Sequence, residues 1–178
     1  NLDNSLMAIT INGNGTITGI SAGGLPAGSV TSATLASGVG GKVLQVLQNT
    51  GTNDINNVTT TITEIISLSI TPSATTSKIL IQASTSIYCI PSTNAVVRTY
   101  LFRGTTSGTQ LFTGFGGADG DDNGDKGYLV RSMIYLDSPN TTSATTYTFA
   151  FRTGSGGTSS VRAEGQDPHI IVLTEIAA

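Results

Sequence analysis

Apolar residues recur at every second position through most of this chain, the period of a strand with one buried face. In SKILIQASTSIYCI, Ile79, Ile81, Ala83, Ile87 and Cys89 fall on one side of such a strand, so Cys89 is expected to face the core. In NNVTTTITEIISLSITPSA, Ile66, Leu68 and Ile70 alternate with Ser and Thr, and Pro72 ends the run. KVLQVLQNT, AVVRTYLFRG, TQLFTGF, YLVRSMIYLDSP, TTYTFAFRTGS, SSVRAE and HIIVLTEIA read the same way. Roughly eight to ten short strands separated by turns predict an all-β fold, a β-sandwich or jelly roll.

The chain changes character near Gly40. Before it, ITINGNGTITGI reads as two short strands around Asn-Gly turns, GGLPAGSV as a turn region, and VTSATLASGVGG as a two-turn helix with Ser29 as its cap and Gly38 closing it. Such a segment has isoleucines but no core of its own. Residues 1–41 are therefore expected to form an intertwined, mostly extended stem for attachment and trimerisation, and residues 42–178 the sandwich head. Ile9, Ile11, Ile17 and Ile20 would pack against their copies about a threefold axis, the simplest supplier of apolar cover.

Composition narrows the function. Only 11% of residues are charged, Gly reaches 22 and Trp is absent, while the net charge is −3 with a sequence pI near 4.8. Dispersed basic residues in an acidic chain leave no electrostatic footprint for nucleic acid. Without an apolar run of membrane-spanning length or a signal-like N-terminus, a soluble chain with no Sec export is expected. One cysteine precludes an intrachain disulfide framework. Sequons at Asn14, Asn57 and Asn140 are discounted for want of a secretory signal.

The strongest local motif is GADGDDNGDKG, where Asp119, Asp121 and Asn123 before Gly124 reproduce the first half of a calcium loop. Alternate oxygens would point inward while Gly allows the sharp turn. Val130 stands where a bidentate Glu should close the site, so an EF-hand is excluded; calcium would need Asp122, Asp125, a carbonyl or water to complete its shell. The competing reading is a solvated acidic hairpin loop. His169, the sole histidine, either opens the last strand or meets its copies at an axis as a zinc site, the first reading being preferred. Ser residues lack a partnering base, and of the candidate carboxylates for glycoside cleavage, Glu64, Glu164, Glu175 and the Asp cluster, most concentrate in one Gly-rich loop where no burial would raise a pKa, so no enzymatic activity is expected. Tyr147, Phe149 and Phe151 form a stripe better suited to core packing than to stacking sugars. The long polar loops Phe115 to Gly127 and Gly154 to Ser160 are the candidates for recognition, with plain hairpin connections as the alternative.

MAITINGNGTITGISAGGLPAGSVTSATLA, Met7 to Ala36, resembles the N-terminal region of small structural proteins of tailed phages, notably those infecting cyanobacteria and other marine bacteria, that serve as tail-fibre, fibre-like or capsid-decoration proteins. YLDSPNTTSATTYTFAFRTGSGG and HIIVLTEIAA are similar to the C-terminal sandwich modules of phage fibre heads, so the resemblance covers roughly a third of the sequence. In those proteins translation often begins at the Met of MAITINGNG, and the preceding NLDNSL is a departure. The resemblance implies a homotrimer with an intertwined N-terminal region and a jelly-roll head, located in a virion assembled in the bacterial cytoplasm. Its partners would be its own copies, other proteins of tail, baseplate or capsid, and a host-surface glycan, with no nucleic acid and no membrane insertion. The matching segments are structural, so no catalytic or ligand residues come with them. A tail fibre is the expected function and a capsid decoration or cement protein the alternative; a glycan-degrading tail enzyme and a bacterial surface adhesin rank below both.

Overall fold

Thr, Val, Ile and Tyr between glycine-rich turns favour strands over helices, and the described residues contain strands and no helix. The computed structural model describes residues 10–11, 17–18, 42–90, 96–117, 127–154, 158–161 and 167–177. The chain divides into two units, Asn1–Gly41 and Lys42–Ala178. In the first, β1 (Thr10–Ile11) and β2 (Ile17–Thr18) pair antiparallel with Ile11 opposite Ile17, as the Asn-Gly spacing predicts. The short helix expected after Ser29 lies outside the described residues.

In the second unit the strands are β3 (Val43–Gly51), β4 (Ile55–Asn57), β5 (Thr63–Ile70), β6 (Lys78–Ile90) and β7 (Val96–Arg103). They are followed by β8 (Thr109–Gly117), β9 (Gly127–Asp137), β10 (Thr145–Thr153), β11 (Thr158–Val161) and β12 (His169–Ile176). Two antiparallel sheets result. One has the order β5, β10, β7, β8; the other runs β3, β12, β6, β11, β4, with β9 on the free edge of β6. β6 has 13 residues and holds two partners along one edge, β12 beside Lys78 to Ser84 and β11 beside Ile87 to Ile90, while β9 follows its other edge.

The pairing is nested: β7 with β8, β6 with β9, β5 with β10 and β3 with β12, all antiparallel. These eight of the unit's ten described strands fold back as one long ribbon whose rungs alternate between the sheets, and β4 pairs with β11 between the outer two rungs. The innermost turn, between β7 and β8, needs glycine. Gly104 has φ of 95°, a left-handed value, and a Cβ on Gly108 would collide with the Arg103 carbonyl oxygen.

Both sheets contribute to one core. Ile65, Ile66 and Ile70 of β5, Leu101 of β7 and Tyr147, Phe149 and Phe151 of β10 meet Ile79, Ile81 and Ile87 of β6 and Ile171 and Leu173 of β12. Each fully buried large side chain contributes about 1.5–3 kcal/mol of transfer free energy. A bulge breaks the alternation in β5: Phe149 faces Ile66 while Ala150 faces Glu64, so the adjacent Ile65 and Ile66 are both buried. Ile79, Ile81, Ala83 and Ile87 point inward as their spacing predicts; the side chain of Cys89 lies outside the described residues.

Candidate functional site

Asp119, Asp121, Asp122, Asn123 and Asp125 lie outside the described residues, as do Ile9 and Ile20 of the stem, Asn14, Glu164 and the middles of both candidate recognition loops. Among the described residues, no group of three or more His, Cys, Asp or Glu is placed to hold a metal. Val130, at the twelfth position counted from Asp119, is exposed on β9. The aromatic stripe is internal: Tyr147, Phe149 and Phe151 have no accessible surface, so none stacks against a sugar.

Three buried polar clusters stand out, and period-2 parity is the signal that finds them. On β12 the inward set is His169, Ile171, Leu173 and Glu175. His169 Nε2 lies 2.8 Å from the Asn53 carbonyl, which can only accept, so Nε2 carries the proton. Nδ1 lies 2.7 Å from the Thr85 hydroxyl oxygen, a second hydrogen bond. Buried and bonded on both nitrogens, His169 opens β12 and is not presented at a surface where copies could share a zinc ion.

Glu175, one of the carboxylates considered for glycoside cleavage, is fully buried. Its Oε2 accepts from Gln45 Nε2 at 2.6 Å and from Ser73 Oγ at 3.1 Å, and its Oε1 accepts from the Ser73 amide at 2.6 Å. Burial pushes its pKa up, yet these donors, with the nearby Ser77 hydroxyl, which falls short of hydrogen-bond geometry, outweigh burial and hold the carboxyl below its ordinary range. It is an ionised anchor joining β12 and β3 to the loop after β5. Glu64, by contrast, is exposed and accepts from Ser67 Oγ at 2.6 Å.

The third cluster joins the two sheets. Asp137, at the inward end of β9, accepts from Arg103 Nε at 2.8 Å, Arg103 Nη2 at 2.7 Å and the Tyr147 hydroxyl at 2.7 Å. Burial, then the bond to Asp137, pushes the Tyr147 phenol far above its ordinary value, so it remains a donor. The hydrogen bond to Asp137 raises the Arg103 pKa further, against partial desolvation. Asn57 is likewise enclosed: Nδ2 donates to the Thr61 carbonyl and Thr63 Oγ1, and Oδ1 accepts from the Thr59 amide, leaving no free amide for a glycan. Each of these groups is occupied in holding the sandwich together.

The outer faces differ. On the β5, β10, β7, β8 sheet the chain covers part of its own outside. Tyr100, Phe102 and Ala150 pack with Ile62 beneath the segment between β4 and β5, which the Thr153 amide and hydroxyl hold through the Thr59 carbonyl. Arg98 and Arg152 stand opposite each other there, Arg152 lying 5.9 Å from the Tyr100 ring centre. The outside of the other sheet reads across its strands in register. Val46, Thr174, Leu80 and Leu136 form one row, Gln48, Val172, Gln82 and Ile134 the next, and Thr50, Ile170, Ser84 and Ser132 a third. None of these is charged. Val130 is 72%, Ile134 67%, Val46 58% and Leu136 49% exposed. Beside Ile134 lies a shallow depression of about 290 Å³ floored by Gln82, Ser84, Ile170 and Val172.

No family model matches the sequence, and no curated protein does. Among solved structures, the chain is similar to a subunit of the disulfide-linked pili that form Bacillus endospore appendages, at 12% identity and a TM-score of 0.37, covering 81% of this chain and 98% of that one. It is also similar to a chain of infectious bursal disease virus, Gx strain, at 14% identity and a TM-score of 0.41, and to the VP2 chain of that virus's subviral particle, at 13% and 0.38. These likenesses cover 75% of this chain but only 32% and 37% of the viral ones. What the fold itself establishes is that the described residues of the second unit form two packed antiparallel sheets, a β-sandwich.

Proposed function

We propose that the chain is a structural protein of a phage virion, a homotrimeric tail fibre or fibre-like protein without enzymatic activity or cofactor. Residues 1–41 act as the attachment and trimerisation stem, and residues 42–178 are a jelly-roll head offered to a host-surface glycan. The observation that carries the reading is the nested ribbon, whose strand orders β3, β12, β6, β9 and β5, β10, β7, β8 support a double-sheet jelly-roll head. Its support comes from the resemblance of Met7 to Ala36 to phage structural proteins and from the use of the buried polar groups for rigidity.

Two measurements test it. Light scattering of the full chain should give a mass near three 18.2 kDa chains, and excess purified trimer should compete with the parent phage for adsorption to host cells. A monomer overturns the trimer. Undiminished adsorption, together with loss of capsid stability when the protein is removed, assigns it instead to capsid cement.

A further inference from the structure

Among the described residues nothing covers the uncharged outer face of the β3, β12, β6, β9 sheet, and we infer that it is where the heads of neighbouring copies meet. This rests on the homotrimer reading above and names the surface that the heads would use. Three observations single out a second copy as the occupant. First, a face that meets itself about a symmetry axis brings each charge near its own copy, so a neutral face suits self-contact. Copies of a chain with net charge −3 repel overall, and repulsion is least where charge is absent. The described acids outside the core, Asp54, Glu64 and Asp167, all lie off these rows, and Lys42 and Lys78 sit at one end, as a polar rim does.

Second, projection and recess occur on the same face. Ile134 stands two thirds exposed at the rim of the depression, so the Ile134 of one copy can enter the depression of another. The polar groups among them are already satisfied in part within the chain: Ser84 Oγ and Ser132 Oγ bond at 2.9 Å, and Gln48 Nε2 donates to Thr50 Oγ1 at 3.1 Å. These two bonds lower the cost of covering their members.

Third, the size is close to what a specific contact needs. Four strands about 4.8 Å apart, over seven residues at about 3.3 Å, give a flat projection of roughly 450 Å², which the relief of side chains enlarges. A specific interface needs about 500 Å² per partner. An area near that threshold makes a modest contact, which a stem linking the same copies would reinforce through effective concentration.

The test is sedimentation of the full chain over a concentration series, comparing the natural protein with Ile134→Glu and Val130→Lys. The control is Thr113→Glu, which puts a charge on the exposed outside of the other sheet opposite Tyr100. Circular dichroism checks that each variant is folded; exposed substitutions of this kind should leave the sandwich intact. The expected result is a natural trimer, an unaffected control, and at least a tenfold rise in the half-assembly concentration for both face variants. If both face variants assemble as tightly as the natural trimer, the inference falls and the trimer reading stands. An equal loss in the control also overturns it, since the effect would then not belong to this face. A natural chain that is monomeric throughout overturns both readings together.

Discussion

Replacing Asp137 by Asn removes a charge from the cluster that fastens β9 to β7 and β10 while keeping the shape of the side chain. The carboxylate accepts two bonds from Arg103 and one from Tyr147, and it is only 4% exposed. An amide nitrogen cannot accept, so at least one of the three donors loses its partner, and the guanidinium loses its counter-charge. Removing one member of a fully buried ion pair costs about 3–5 kcal/mol. The Arg103 side chain is 33% exposed, however, and water solvates the orphaned cation, which lowers the expected loss to roughly 2–3 kcal/mol. For a domain of this size that is a fall in Tm of about 6–12 °C. The assay is urea unfolding followed by circular dichroism, at one fixed protein concentration because assembly also contributes to apparent stability. Tyr147→Phe is the internal comparison: it deletes one hydrogen bond and leaves the ion pair, so it should cost less, about 1–2 kcal/mol. A loss below about 0.5 kcal/mol for Asp137→Asn, or a larger loss for Tyr147→Phe, would refute the assignment of Asp137 as the inter-sheet anchor.

Three further outcomes follow from the same structure. Because its folded carboxyl sits below the ordinary range, Glu175 contributes stability that is complete above its unfolded value of about 4.3 and lost as pH falls through the folded value; Glu175→Gln should flatten the acid limb of stability against pH, and an unchanged limb would contradict this. Phe149→Ala removes a fully buried ring from the centre of the core and should cost about 3–5 kcal/mol in urea unfolding. Gly108→Ala, which must displace the Arg103 carbonyl at the β7 to β8 turn, should destabilise by about 1–3 kcal/mol, and a neutral result would show that this turn relaxes freely.

What the amino-acid sequence determined by itself is local. Alternation at Ile79, Ile81, Ala83 and Ile87 marks a half-buried strand because successive side chains of an extended backbone must point to opposite faces, whatever lies next to them. The same parity, carried to the ends of β9 and β12, places Asp137 and Glu175 on the inward face. Tertiary structure alone decided the rest. Antiparallel strands of similar composition are interchangeable until long-range closure selects partners, so the pairing of β3 with β12 and β5 with β10 has no local signature. Nor has the bulge that buries Ile65 beside Ile66, since it exists only relative to Phe149 and Ala150 across the ladder. Arg103, Asp137 and Tyr147 come from three strands, and their hydrogen bonds form only once the ribbon has rolled up and brought the two sheets face to face. The neutral outer face is decided in the same way: its rows are built from β3, β12, β6 and β9, which adjoin only in the folded sheet.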